Sequence, residues 1–210
     1  MHLKKKLMNI PVIYTVGHST HPIEHFIALL NLYSVNCVVD VRSLAASRFN
    51  PQYNRRSLNG SLEEHGIKYF HFAESFGARQ SDPDLLNDEG QVDFRKMRAS
   101  DTFEKGVIRL GVLAQQGCVI SLMCAESDPL NCHRFSMISP ALKDFEVKHI
   151  LKDSGILTQS QLEERLLKSY SRKLAKPDMF NKVRTGQEEL NDAYELCRKK
   201  IAYSPSSHKK

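Results

Sequence analysis

Two thiols, an imidazole, a guanidinium and two carboxylates fall within eleven consecutive residues of this chain: Cys124, Glu126, Asp128, Cys132, His133 and Arg134. An apolar, β-branched run, 118–123, leads into Cys124, and an amphipathic segment begins at Arg134. A strand that hands over to a helix is where open α/β sheets place their ligand sites. The helix start adds unpaired backbone N–H groups and partial positive charge, which favour an anion or a thiolate. Sulfur nucleophilicity, thiol redox chemistry, proton transfer, anion binding and metal ligation all lie within reach of these residue types.

Cys124, at the strand terminus, is the candidate nucleophile or redox thiol, with Glu126 or His133 to handle protons. The competing reading is a buried structural cysteine, and for Cys37, Cys118 and Cys197 that reading is preferred. Seven residues separate Cys124 from Cys132, wider than the usual zinc-ligand or C-x-x-C spacing. Adjacent Cys132 and His133 on one helix would diverge by about 100°, which argues against their sharing an ion. A metal set of Cys124, one of that pair and a distant His18 or His71 is the remaining variant, and the expectation is no metal. Arg134 lies ten positions after Cys124 in a loop without glycine, so the phosphate cradle of cysteine phosphatases is at most a chemical analogy.

Further polar residues close the other apolar runs. Gly17-His18-Ser19 follows 12–16, Asp40 and Arg42 end 36–41, and His71 and Glu74 follow 68–72. In a parallel sheet these converge on one edge with Cys124 and Glu126, and a buried Asp40 would take Arg42 or His18 as partner. Arg42, Arg79 and Arg134 are the expected anion ligands, since arginine grips phosphate or carboxylate bidentately. His18 and Asp40 complete the expected substrate-binding set. Residues 47–56 interleave Arg48, Arg55 and Arg56 with aromatics and amides, a pattern suited to anions and to stacked bases.

The elements that must position these groups read as five strands, 12–16, 36–41, 68–72, 118–123 and 146–151. Helical periodicity separates them over 23–33, 55–65, 102–116 and 134–142. This alternation predicts an α/β domain: a five-stranded, mainly parallel sheet covered by helices on both faces. Residues 75–100 read as a long irregular loop. After 151 the composition shifts to a charged helical extension, 152–203. It contains a helix over 161–174 capped by Thr158 or Ser160, an interruption at Pro177 and a second helix over 187–202. Residues 204–210 read as a disordered tail.

No apolar run has the length of a membrane span, and the basic cluster Lys4–Lys6 lacks the apolar segment of a secretory signal. Five cysteines without regular spacing point to a reducing compartment, so a cytoplasmic location is expected. Residues 143–210 hold 15 Lys/Arg against 10 Asp/Glu, while 1–142 hold 15 against 14. The positive character of the α/β part therefore lies in local arginine clusters rather than in bulk charge.

Thr15-Val16-Gly17-His18-Ser19-Thr20, Asp40-Val41-Arg42-Ser43, the 47–54 segment with its Asn-Pro, Gly66-Ile67-Lys68-Tyr69, Leu122-Met123-Cys124-Ala125-Glu126 and Cys132-His133-Arg134 carry a resemblance. Over about 12–151 the chain resembles the family called domain of unknown function 488. It departs from the family pattern at Leu44-Ala45 and at Phe76-Gly77-Ala78-Arg79, where proline and Gly-Gly-Arg are common. The resemblance implies an α/β domain, 12–151, with a polar site, and no established reaction or cofactor. The expected function is an enzyme acting on an anionic substrate, phosphate-bearing, nucleotide or nucleic acid. The alternatives are a nucleic-acid-binding or accessory module without catalysis, and a metal-binding protein.

Overall fold

The computed structural model describes residues 10–174 and 185–205. The N-terminal basic cluster, the interruption at Pro177 and residues 206–210 of the tail lie outside them. The elements are β1 (Val12–Gly17), α1 (Ile23–Leu32), β2 (Cys37–Asp40), α2 (Arg55–Glu64), β3 (Lys68–His71), α3 (Ala73–Phe76), α4 (Phe94–Arg98), α5 (Asp101–Gln115), β4 (Ile120–Cys124), β5 (Glu146–Ile150), β6 (Ile156–Thr158), α6 (Gln159–Tyr170) and α7 (Gly186–Ile201).

The strands form one sheet in the order β3-β2-β4-β1-β5-β6. All pairs are parallel except β5 with β6. The period-2 alternation of each strand explains why both faces are covered. Val39 of β2, Leu122 of β4 and Ile13 of β1 point to the face covered by Phe103 and Leu110 of α5. Val38, Met123 and Val16 point to the opposite face, against Phe26 and Leu30 of α1 and Leu58 and Leu62 of α2. Cys124 follows Ile120 and Leu122 onto the α5 face.

The sheet has a sixth strand that the sequence reading lacks. β6 is three half-buried residues that turn back at Ser154 (φ 69°) and Gly155 to pair antiparallel with β5. Thr158, not Ser160, then caps α6, in a capping box with Gln161. The predicted helix over 134–142 is instead a π-helical turn, Arg134–Ile138, followed by a 3-10 turn, Ser139–Ala141. Pro140 offers no N–H to continue an α-helix, and Phe135, Met137 and Ile138 are buried with no solvent face to define. Residues 75–100 are partly ordered by a Leu86–Val92 bridge and α4, which Asp93 caps.

The C-terminal helices pack back onto the sheet's flank. Leu162 and Leu166 of α6 and Ala193 and Cys197 of α7 enclose Phe135. The amide of Val92 donates to the carbonyl of Tyr203 at 2.9 Å, and Ser204, read as the start of the tail, donates its hydroxyl to Gly90. Among the described residues no helix is long and apolar enough to cross a membrane.

Candidate active site

Parallel strands end on a common side, so register decides which residues meet there. Gly17 of β1 pairs with Cys124 of β4, and Asp40 of β2 lies between Met123 and His71. Backbone pairing continues past the strands: His18 and Ser19 donate their amides to the carbonyls of Cys124 and Ala125, each at 2.9 Å. The first residues after β1 and β4 are thereby zipped together at the lip of a cleft of about 920 Å³.

Asp40 and Arg42 form a buried, bidentate pair. Arg42 Nε donates to one carboxylate oxygen at 2.9 Å and Nη2 to the other at 2.6 Å. Tyr69 donates its hydroxyl to Asp40 at 2.8 Å, and Arg42 Nη2 also donates to the carbonyl of Tyr53. Arg42 Nη1 lies 3.1 Å from His18 Nε2, and His18 Nδ1 lies 2.8 Å from the carbonyl of Ser19. A carbonyl only accepts, so Nδ1 carries the proton and Nε2 accepts from the guanidinium. Burial, with the Arg42 charge alongside, holds the His18 imidazole down at about 4, and its ring stacks on Tyr53. Asp40 does not line the cleft; it fixes the arginine and histidine that do.

Arg134 takes a different place from the one its residue type suggested. The side chain is wholly buried, and its guanidinium donates to the carbonyls of Glu126 (2.6 Å) and Ser127 (3.0 Å). It clamps the loop that follows Cys124 and does not line the cleft. Glu126 itself is exposed on the rim. Arg79 is also exposed on the rim, with its guanidinium 5.8 Å from the ring centre of Tyr203. Arg48, Arg55 and Arg56 are exposed but do not line the cleft.

Cys124, Cys132 and His133 meet on the cleft floor. Both sulfurs stand 3.8 Å from His133 Nδ1, and the three donor atoms lie within 4.8 Å of one another. The expectation that Cys132 and His133 diverge is incorrect. Cys132 is extended (φ −135°, ψ 143°) at the end of a 3-10 turn, Pro129–Asn131, and His133 alone is helical (φ −62°, ψ −21°). The 100° helical offset therefore does not apply between them. His133 Nε2 donates to the carbonyl of Val41 at 3.1 Å, which turns Nδ1 toward the sulfurs.

The two thiols are shifted in opposite directions. The Cys124 thiol, hydrogen-bonded to Cys132 and buried, is pushed well above the ordinary range. Burial would push Cys132 the same way. The hydrogen bond from Cys124 and the adjacent charge of Arg134, with His133 alongside, instead hold it well below. The amide of Arg134 also donates to Cys132 Sγ, at 3.5 Å. The sequence points to Cys124; of the two sulfurs, Cys132 is the one whose surroundings favour the charged form. The end of α7 was missed as well: Lys199, Lys200 and Tyr203 line the cleft, and Lys200 donates to Asn131 at 2.8 Å. The basic run 198–200 is the only sequence trace of this.

A mainly parallel α/β sheet with a sulfur–imidazole cluster at the C-terminal ends of its parallel strands is the class of protein these observations define. Residues 22–139, more than half of the chain, match the family model described as Domain of unknown function DUF488, and the chain belongs to that family. No curated protein and no solved structure matches it.

Proposed function

We propose that this protein is an enzyme that holds an anionic, phosphate-bearing substrate in the cleft and does its chemistry at the Cys124–Cys132–His133 cluster. One observation carries the reading: the cluster forms the floor of a polar cleft whose rim bears Arg79, Lys199 and Lys200 against the single rim carboxylate Glu126. Partly satisfied surface cations above a desolvated reactive centre suit a charged ligand that is gripped at one end and transformed at the other. Lys199 also reaches Glu89, but at 3.7 Å and with both side chains more than half exposed, so an anion competes readily for it. Glu126 on the rim is the group that exchanges protons with the substrate, while His133, whose Nε2 is held by Val41, orients the sulfurs. A reducing, cytoplasmic setting is part of the proposal and rests on the irregular spacing of the five cysteines.

Calorimetry with inorganic phosphate, mononucleotides and short oligonucleotides tests the reading. Wild type is expected to bind at least one of them, with affinity falling as salt rises. Arg79→Ala and the double variant Lys199→Ala/Lys200→Ala are expected to weaken binding several-fold. Binding to none of these ligands, or equal binding by the charge-deleted variants, overturns the proposal.

A further inference from the structure

We infer that Cys124, Cys132 and His133 hold one divalent metal ion of the zinc class, with its fourth position open to the cleft. Zinc–sulfur bonds of about 2.3 Å and zinc–nitrogen bonds of about 2.0–2.1 Å in tetrahedral geometry put sulfur and nitrogen donors about 3.6 Å apart. The same geometry puts paired sulfurs about 3.8 Å apart. Here both sulfurs lie 3.8 Å from one imidazole nitrogen, and no two of the three donors are more than 4.8 Å apart. A thiol–imidazole hydrogen bond would account for one short approach to Nδ1, since a single lone pair accepts one proton. Two equal approaches to one nitrogen match the spacing around a shared central ion.

The surroundings match a ligand set as well. His133 donates its other nitrogen to the carbonyl of Val41, the outer bond that fixes a metal-binding imidazole in the correct tautomer and orientation. The amide of Arg134 points at Cys132 Sγ, and Arg134's guanidinium holds the loop that joins Cys124 to Cys132. The sulfurs are buried, at 6% and 2% residue exposure, which keeps competing water off the thiolate bonds. Two thiolates and an imidazole are soft-to-borderline donors that select zinc over magnesium or calcium. Structural zinc sites close with four protein ligands, whereas catalytic ones keep three and leave a position for water or substrate. All three residues line the cleft, so the open position faces the space where the anion is proposed to sit. Only that assignment of the fourth position rests on the functional reading above; the ion itself does not.

Metal analysis of full-length protein, expressed with zinc in the medium and purified without chelator, tests the ion directly. One equivalent of zinc per chain is expected. Stripped protein titrated with Co²⁺ should develop thiolate-to-cobalt charge-transfer absorption and the strong visible bands of tetrahedral cobalt. Cys132→Ser and His133→Ala should each lose zinc affinity by at least the 10–100-fold that outer-shell changes cost. Should either variant fail to fold, iodoacetamide mapping of wild type decides. Cys132 should be protected with zinc present and labelled after its removal, with Cys37, Cys118 and Cys197 as internal references. Zinc-free protein with no cobalt spectrum, or a spectrum unchanged in Cys132→Ser, overturns the inference. Phosphate binding by that zinc-free protein would leave the anion cleft standing, so the two proposals fail separately.

Discussion

The arginines of this site show how residue type and residue role part company. Arg42 and Arg134 are both guanidinium groups near the cluster, yet each is occupied internally, one by a carboxylate and one by loop carbonyls. A buried ion pair is weak support for stability as a pair, but breaking it leaves an uncompensated charge. Asp40 also accepts from Tyr69 and from the amide of Arg42 at 3.0 Å, so its loss strands several donors at once. Asp40→Asn is therefore expected to destabilise the fold by about 3–5 kcal/mol. Urea denaturation followed by circular dichroism measures this. Tyr69→Phe, which removes one neutral donor from a carboxylate still held by Arg42, should cost about 1 kcal/mol.

At the scale of elements, most of the framework was legible because β-branched runs and helical periodicity are local signals. Strands over 12–16, 36–41, 68–72, 118–123 and 146–151 differ from β1 to β5 by only a residue or two at the ends. What local pattern could not carry was short or long-range. β6 has three residues and draws its stability from pairing with β5, so it has no periodicity of its own. The convergence of strand-end residues followed from parallel topology. The meeting of Cys132 with His133 depended on one extended residue, and the arrival of α7 at the cleft on tertiary packing. The strand ends also leave little room. A β-carbon on Gly17 would lie 1.8 Å from the carbonyl oxygen of Glu126 and 3.1 Å from Nη2 of Arg134, whose Nη1 donates to that same carbonyl. The closest clash is with backbone, so Gly17→Ala must push the loop after Cys124 outward. A loss of about 1–3 kcal/mol is expected by thermal melting, together with weaker cobalt absorption because Cys132 and His133 follow that loop. An unchanged melting temperature and spectrum would show that the loop yields without affecting the cluster.

Across the whole molecule, His149 joins the sheet to the C-terminal helices, and its protonation reports on that junction. The ring is fully buried in β5; Thr15 of β1 donates its hydroxyl to Nδ1 at 2.8 Å, and Nε2 donates to Gln159 of α6 at 2.9 Å. Phe135 packs edge-on against it. Burial lowers the imidazole to about 4, with the Gln159 hydrogen bond opposing, the Arg134 charge assisting and Cys132 opposing. A base whose folded value lies below its unfolded value binds more protons when unfolded. Its contribution to stability is therefore fully present above pH 6.5 and is lost as pH falls from there to about 4, where both states are protonated. The loss over that window is of order 3 kcal/mol, at about 1.4 kcal/mol per pH unit. His18, also held at about 4, adds a loss of the same sign. His149→Gln removes the titrating group while keeping a side chain able to accept from Thr15 and donate to Gln159. It is expected to be less stable than wild type at pH 7 yet to lose about half as much stability between pH 6.5 and 4. Urea midpoints measured across that range give both slopes. Parallel slopes for variant and wild type would mean that His149 does not titrate across this window and that the acid sensitivity of the fold lies elsewhere.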